Sequence, residues 1–226
     1  MKKLKILDIV FENKIEEFEI EAFRGAISRL VGFENTLFHN HISNDKLAYS
    51  YPFVQYKTRK GRASFSCIAQ GVDEASDFFK KSERNFVISG KHIHLKVDTF
   101  QLRNAYYDVS NSLYQYEIHK WQPLNQENFK KYNSLPDAIS KISFLESILI
   151  GNILSMGKSI DWKIESKINL SIQEVKDQNS VRFKKTQIIT FDLTFISNVL
   201  LPIQIGLGKG VSHGFGVIEK RIELNN

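Results

Sequence analysis

Two histidines separated by one residue, in Phe38-His39-Asn40-His41, are the leading candidates for chemistry in this chain of 226 residues. Imidazole takes up and releases protons near neutral pH, and two of them in one loop can divide the roles of base and acid. Two plainer readings compete: a His-x-His metal pair, and loop histidines with ordinary hydrogen bonds. The metal reading finds Asp45 nearby but no help from cysteine, because Cys67 is the single cysteine of the chain. His92 and His94 fall on a strand-like alternation and His119 stands beside Trp121, so those three read as structural.

The sixth histidine, His213, lies in a second constellation. Five of the twelve glycines (Gly206, Gly208, Gly210, Gly214 and Gly216) fall within eleven residues, interleaved with Lys209, Ser212, His213 and Phe215. Such density belongs to a loop whose backbone takes positive φ or approaches another molecule closely. Successive backbone N–H groups form a concavity for an anion, and Lys209, Ser212 and His213 would add to it, so a phosphate chain is the expected ligand. No Gly-Lys-Ser/Thr closes a nucleotide loop, and no helical pattern follows to receive a dinucleotide. The competing reading is a turn between two strands, since Phe215, Val217 and Ile218 lead into a terminal strand.

A net charge of +6 and a pI near 9.2 matter only where the cations cluster. Lys57, Arg59, Lys60 and Arg62 fall within six residues, and Lys80, Lys81, Arg84, Lys91 and Lys96 follow in the same half. A polyanion such as nucleic acid could lie along such a cluster, and ordinary solvated surface lysines are the competing reading.

The elements that must position these groups read as follows. Lys3 to Phe11 alternates as a strand, and Glu16 to Val31 switches to helical spacing with Ile20, Phe23, Ile27, Leu30 and Val31 on one face, closed by Gly32. Tyr51 to Lys57 and Ala63 to Ala69 form a hairpin with its basic residues at the tip. Gly71 to Lys81 is a short helix, and Phe86 to Val97 supplies one or two strands. After a polar stretch at Asp108 to Ser112, Leu113 to Trp121 is a strand. A helix from Ser134-Leu135-Pro136-Asp137 to about Met156 has its apolar face in Ile139, Ile142, Leu145, Leu149 and Ile153. Trp162 to Val175 and Val181 to Ile196 are strands around Asp177-Gln178-Asn179-Ser180, and Phe215 to Ile222 is the last. In the second half, the glycine loop takes the place of the second helix. Two βαββαβ units in tandem are two ferredoxin-like, RRM-like modules of the α+β class. Their expected ranges are 1–108 and 109–226.

Composition adds bounds. Seventeen phenylalanines and 42% apolar residues suffice for real cores. No apolar run reaches the roughly 18 residues of a membrane span, and the charged, alternating start suits a strand better than a signal peptide, which predicts a cytoplasmic protein with no membrane partner. Cys67, among alternating apolar residues, reads as a buried structural thiol.

Arg24-Gly25, Phe38-His39-Asn40-His41, Tyr51-Pro52-Phe53-Val54-Gln55-Tyr56-Lys57 and the loop from Gly206 to Gly216, in this order, resemble the CRISPR-associated endoribonucleases of the Cas-six type, in their paired-histidine subgroup. The motifs touch both halves, whereas the middle, about 72 to 190, agrees in element order alone. The resemblance implies cleavage of precursor CRISPR RNA within its repeat, without metal or other cofactor, by attack of the 2′-hydroxyl to leave a 2′,3′-cyclic phosphate and a 5′-hydroxyl. The family's catalytic histidine maps onto His39 or His41. Its lysine and tyrosine partners have no unambiguous counterpart, with Lys46, Lys57, Tyr51 and Tyr56 as the candidates. Repeat RNA is then the expected ligand of Lys57, Arg59, Lys60 and Arg62 and of the loop residues Gly206, Gly208, Lys209, Gly210, Ser212, His213, Gly214, Phe215 and Gly216. Further partners would be other subunits of an effector complex, with the chain itself a monomer or homodimer. The competing function is a non-catalytic repeat-RNA-binding subunit of the same fold, and the two histidines argue against it. A nucleotide-dependent enzyme built on the glycine loop lacks a magnesium-binding motif and a following helix.

Overall fold

The computed structural model describes residues 1–32, 36–39, 51–80, 85–88, 90–183 and 186–224. They group into two compact units. One comprises Lys3–Ala105 with Ser212–Gly214; the other comprises Met1–Lys2, Tyr106–Val211 and the chain from Phe215 onward.

In the first unit, strand β1 (Lys2–Lys14) leads through a 3-10 turn at Glu17–Glu19 into helix α1 (Ile20–Val31). The entry is fixed by a reciprocal cap in which the Glu16 backbone N–H donates to Glu19 Oε2 at 2.9 Å. A single helical turn, α2 (Thr36–His39), precedes the hairpin of β2 (Val54–Arg59) and β3 (Arg62–Ile68). Its strands run closer to the tip than expected, leaving only Lys60 and Gly61, at φ 52° and 72°, to make the turn. Two left-handed residues are what a two-residue connection needs to match the twist of the flanking strands. Helix α3 (Gly71–Lys80), a separate hairpin of β4 (Asn85–Ile88) and β5 (Lys91–His94), and strand β6 (Val97–Trp121) follow. The sheet order β2-β3-β1-β6 places the first strand between the third and fourth of a βαββαβ unit, the ferredoxin-like arrangement.

Strand alternation divides this sheet into two unlike faces. Leu7, Ile9 and Phe11 share one face with Phe65, Cys67, Val54 and Tyr56, and meet Phe23 and Ile27 of α1 and Phe78 of α3 in the core. Phe65 contacts Phe78 edge to face at 5.4 Å between ring centroids, and Phe11 contacts Phe23 in the same way at 5.7 Å. Emptying such a site costs about 3–5 kcal/mol per phenylalanine. The opposite face carries Asp8, Gln55, Lys57, Ser64 and Ser66, all polar and all buried.

The second unit repeats the permutation as β9-β6-β8-β7, with β7 (Leu170–Phe183), β8 (Thr186–Leu200) and β9 (Val217–Leu224). Several boundaries differ from the expected ones, each for a local reason. Asp108 to Ser112, read as a separator, lies inside the 25-residue β6, because the register shift between Val109 and Tyr114 absorbs the polar run as a bulge. A helix absent from the sequence reading, α4 (Gln126–Ser134), buries none of its residues and so shows no apolar period. Helix α5 (Ala138–Ser159) is capped by Asp137, whose carboxylate accepts from the Ser140 N–H at 2.7 Å, while Ser134 ends α4. The buried stripe of α5 is Leu145, Leu149, Ile153 and Met156; Ile139, in the first turn, is 80% exposed. Asp177 to Ser180, expected as a turn, sits in the ladder with Asn179 opposite Thr190, and β7, last in the sheet order, tolerates polar residues as edge strands do.

Among the described residues, α5 is the one helix long and apolar enough to cross a membrane by length and composition. Its Glu146 side chain accepts from the Ile172 N–H at 2.9 Å, tying it to β7.

Candidate active site and nucleic-acid interface

The backbone of His39 is placed by its neighbour. Phe38 is buried against Phe65, and the Ser28 hydroxyl of α1 donates to the Phe38 carbonyl at 3.1 Å, so the last turn before His39 is fastened to core and helix together. The His39 side chain, His41 and Lys46 lie outside the described residues.

The stretch Tyr51-Pro52-Phe53-Val54-Gln55-Tyr56-Lys57 has a structural explanation. Gln55 donates to the Pro52 carbonyl at 3.1 Å, bracing the entry to β2, and Tyr51 is 7% exposed. Tyr56, expected among catalytic groups, is fully enclosed, with Phe23 and Phe65 against its ring. Burial pushes its phenol well above the usual range, opposed by the Ser28 hydroxyl and the Arg24 charge. Tyr56 is therefore a core side chain. Cys67 is buried with its thiol pushed up, first by burial and then by Asp8.

The basic hairpin residues separate. Lys60 sits exposed at the tip, and Arg62 pairs with Asp98 at 2.8 Å. Lys57 and Arg59 face inward along the polar side of the sheet, toward Asp8. One Asp8 oxygen accepts from the Ser66 hydroxyl at 2.5 Å and from Arg59 Nη2 at 2.9 Å; the other accepts from Arg103 Nε at 2.6 Å. Burial alone would raise the Asp8 carboxyl, but the Arg59 charge and the hydrogen bonds from Arg103 and Ser66 outweigh it and hold the group below the usual carboxylate range. Lys57, 3% exposed, shows the converse. Burial and then the charge of Arg59 bring its amine down to about 7, against the pull of Asp8. Neither Asp8 nor Arg103 was singled out from the sequence. The available signal was a lone carboxylate at mid-strand between Ile6 and Val10, where an unpaired charge would be costly.

Ser212–Gly214 belongs to this same unit. The Arg24 guanidinium of α1 lies 3.3 Å from His213 Nε2, and His213 Nδ1 lies 3.1 Å from the Ser212 hydroxyl. Gly214 packs so that an added Cβ would stand 3.0 Å from Ile20 and 3.3 Å from the Tyr56 carbonyl.

The rest of the glycine loop lies in the other unit, and its glycines answer to the protein's own atoms. At Gly208, φ +90°, a Cβ would come within 2.9 Å of Trp121 Nε1, and at Gly216, φ +67°, it would collide with the Leu207 carbonyl. Gly206 and Gly210 are likewise close to Val211 and Phe215, and Phe215 is buried edge to face against Phe183. Lys209 remains exposed, its backbone N–H donating to the Gln122 carbonyl. His119 is paired with Asp192 at 2.9 Å, a structural contact.

Two consecutive ferredoxin-like units define a class that includes a solved structure described as a RAMP protein binding different RNA substrates. It is 11% identical, with a TM-score of 0.54 over 99% of each chain, a likeness of fold alone. The family models for the Cas6b N-terminal and C-terminal domains match residues 2–106 and 108–221, and the chain belongs to the Cas6b family. A crystal structure of Cas6b is 26% identical, with a TM-score of 0.84 over 97% of this chain and all of that one. A structure described as the CRISPR RNA processing endoribonuclease Cas6b is 25% identical, with a TM-score of 0.70 over 99% of this chain and all of that one. An uncharacterized protein of Methanocaldococcus jannaschii is 32% identical over 140 residues, 58% of this chain and 94% of its own.

Proposed function

We infer that this protein cleaves precursor CRISPR RNA within its repeat, without a metal ion. Membership of the Cas6b family across both units carries the inference, and the pair His39 and His41 supplies groups for the chemistry. One imidazole takes the proton of the 2′-hydroxyl upstream of the scissile phosphate. The 2′-oxygen then bonds to phosphorus, the bond from phosphorus to the 5′-oxygen breaks, and an acid protonates that oxygen. The products are a 2′,3′-cyclic phosphate and a 5′-hydroxyl. Lys46 is the candidate cation for the charge that builds on the phosphorane. Tyr56, enclosed in the core, is given no proton-transfer role in this reading.

RNA binding is assigned to the exposed cations Lys60 and Lys209, to Arg59 at the rim of the polar sheet face, and to the Ser212–Gly214 segment. Lys57 acts from within that face. Arg62, already paired, ranks below them.

The test is incubation of the protein with its repeat RNA in EDTA, where one cut per repeat is expected. Activity lost to chelator and restored by magnesium would overturn the metal-free mechanism. Tight binding with no cut under any condition would make the chain a repeat-binding subunit instead. A 2′-deoxy nucleotide upstream of the cut should abolish cleavage and leave binding nearly unchanged.

A further inference from the structure

The C-terminal end of α5 forms a cleft of about 410 Å³, lined by Leu154, Lys158, Asp161, Trp162, Lys163 and Ile164. That volume falls within the roughly 300–1,000 Å³ of small-ligand sites. Its apolar walls are set in advance. Trp162 is buried on the ring of Tyr107 at 4.7 Å between centroids, while Leu154 keeps 44% of its surface exposed. Gly157 lets the turn close onto the helix, since a Cβ there would stand 3.0 Å from the Trp162 carbonyl and 3.1 Å from Ile164 Cδ1.

The polar part of the cleft is made at some cost. The helix ends with the Trp162 backbone N–H donating to the Gly157 carbonyl at 2.8 Å and the Asp161 N–H to the Lys158 carbonyl at 3.4 Å, and Asp161 itself sits at φ 54°. Glycine is the residue that such a helix end favours, and a carboxylate is the unfavourable charge beside the last carbonyls of a helix. Among the described residues the Asp161 carboxylate has no ion pair to offset this. Its charge acts on the Tyr107 phenol, which burial first and then Asp161 push upward, so the carboxylate lies near the Tyr107–Trp162 pair. Lys158, exposed in the last turn of α5, adds an ammonium; Lys163 is already paired with Glu165 at 2.7 Å.

An apolar slot with one carboxylate and one ammonium suits a planar heterocycle that offers two adjacent donors beside an acceptor. Guanine does so with N1–H, the N2 amino group and O6. Adenine and cytosine set a ring acceptor next to their amino group, and uracil has a single N–H between two carbonyls, so each would face the carboxylate with a lone pair. We propose that this cleft takes one guanine base from a single-stranded stretch of the RNA, with Asp161 accepting from N1–H and the N2 amino group and Lys158 donating to O6. The proposal rests on the reading of the protein as an RNA-processing enzyme and adds a sequence-reading contact to it, because unstacked bases in single strands are where proteins read RNA sequence.

The full chain is to be titrated with the 5′-monophosphates of guanosine, inosine, adenosine, cytidine and uridine. The indole N–H of Trp162, identified with Trp162→Phe, is followed by NMR. Guanosine monophosphate should shift that signal. Inosine monophosphate, which lacks the N2 amino group, should bind roughly tenfold more weakly, and the other three should leave the signal in place. Asp161→Gly supplies an opposing sign: it should melt above the wild type, because strain and charge at the helix end are both relieved, and it should no longer prefer guanosine to inosine. In repeat RNA, inosine placed at each guanine in turn should weaken wild-type binding by about tenfold at one position and leave Asp161→Gly indifferent there.

An unmoved Trp162 signal with guanosine monophosphate, or an equal response to all five nucleotides, would overturn the site, and cleavage of repeat RNA in EDTA would still stand. A guanosine response without any inosine-sensitive position in the repeat would make this a site for a free nucleotide and overturn the RNA contact. If the wild type neither binds nor cuts its repeat, the processing reading fails, and unrelated single-stranded RNA carrying guanine or inosine decides the site by the same comparison.

Discussion

Arg24 and His213, 189 positions apart in the chain, meet at 3.3 Å between a guanidinium nitrogen and Nε2 of the imidazole. Arginine can only donate, so a hydrogen bond here requires Nε2 to accept, which would leave the imidazole proton on Nδ1, 3.1 Å from the Ser212 hydroxyl oxygen. That tautomer is the expected one. Nitrogen-15 NMR of the folded protein should show His213 Nδ1 protonated and Nε2 bare, and Arg24→Met should remove that preference. A bare Nδ1 in the wild type would contradict the assignment.

His39 and His41 are expected to contribute proton transfer, each worth roughly 10²- to 10⁴-fold in rate. Single-turnover cleavage by His39→Ala and His41→Ala, at saturating protein, measures this, with RNA affinity little changed. Two variants that both cut at the wild-type rate would move the site elsewhere in the chain.

Lys57 makes stability depend on pH in a specific window. Its amine is brought down to about 7 in the fold, chiefly by burial and then by Arg59, whereas the unfolded chain holds that proton up to the ordinary lysine value of 10.5. Between these values the unfolded state binds more protons, so this group's contribution rises with pH, by up to about 1.4 kcal/mol per unit. Below about 7 the burial cost is present in full. The stability of the wild type minus that of Lys57→Met should therefore increase from pH 7 to 9.5. A difference that stays flat over that range would show the amine already charged within the fold.

The glycine loop should respond in two different ways. Gly216→Val and Gly208→Val are expected to lower the melting temperature of the unbound protein, because the new Cβ meets the Leu207 carbonyl or the Trp121 indole. Lys209→Ala should melt like the wild type while flattening the salt dependence of RNA affinity by about 0.7 to 0.9. If Gly208→Val and Gly216→Val both melt normally and lose RNA binding, the glycines serve the ligand after all.

The fold class was legible in the sequence because each strand and helix carries its own period, as Leu7, Ile9 and Phe11 do in β1 and Phe23 and Ile27 do in α1. What could not be read was whatever lacked a period or depended on distant partners. Helix α4 has no buried side to betray it, and the ladder through Asp177 to Ser180 overrides turn-forming residues by cross-strand pairing that no local window contains. The candidate site divides in the same way. His39-Asn40-His41 is visible as residue types at a spacing, whereas the pairing of Asp8 with Arg103, 95 positions away, exists only in the folded sheet. Glycine density was a correct sign of a special backbone, but density does not say whose atoms need the room.

The unit that carries Arg24 is not a contiguous piece of chain, since Ser212–Gly214 belongs to it while Tyr106–Val211 does not. Growing chains emerge in order at roughly 5–20 residues per second, so some 5 to 20 s separate the synthesis of Ala105 from that of Ser212. The aromatic core around Phe65 can form early, on the ribosome, from residues already made. His213 reaches Arg24 only after the whole of Tyr106–Val211 has been made. A message broken before codon 212 would thus yield a first unit that has its core residues and lacks the contact between Arg24 and His213, which makes that contact a marker of translation through the glycine loop.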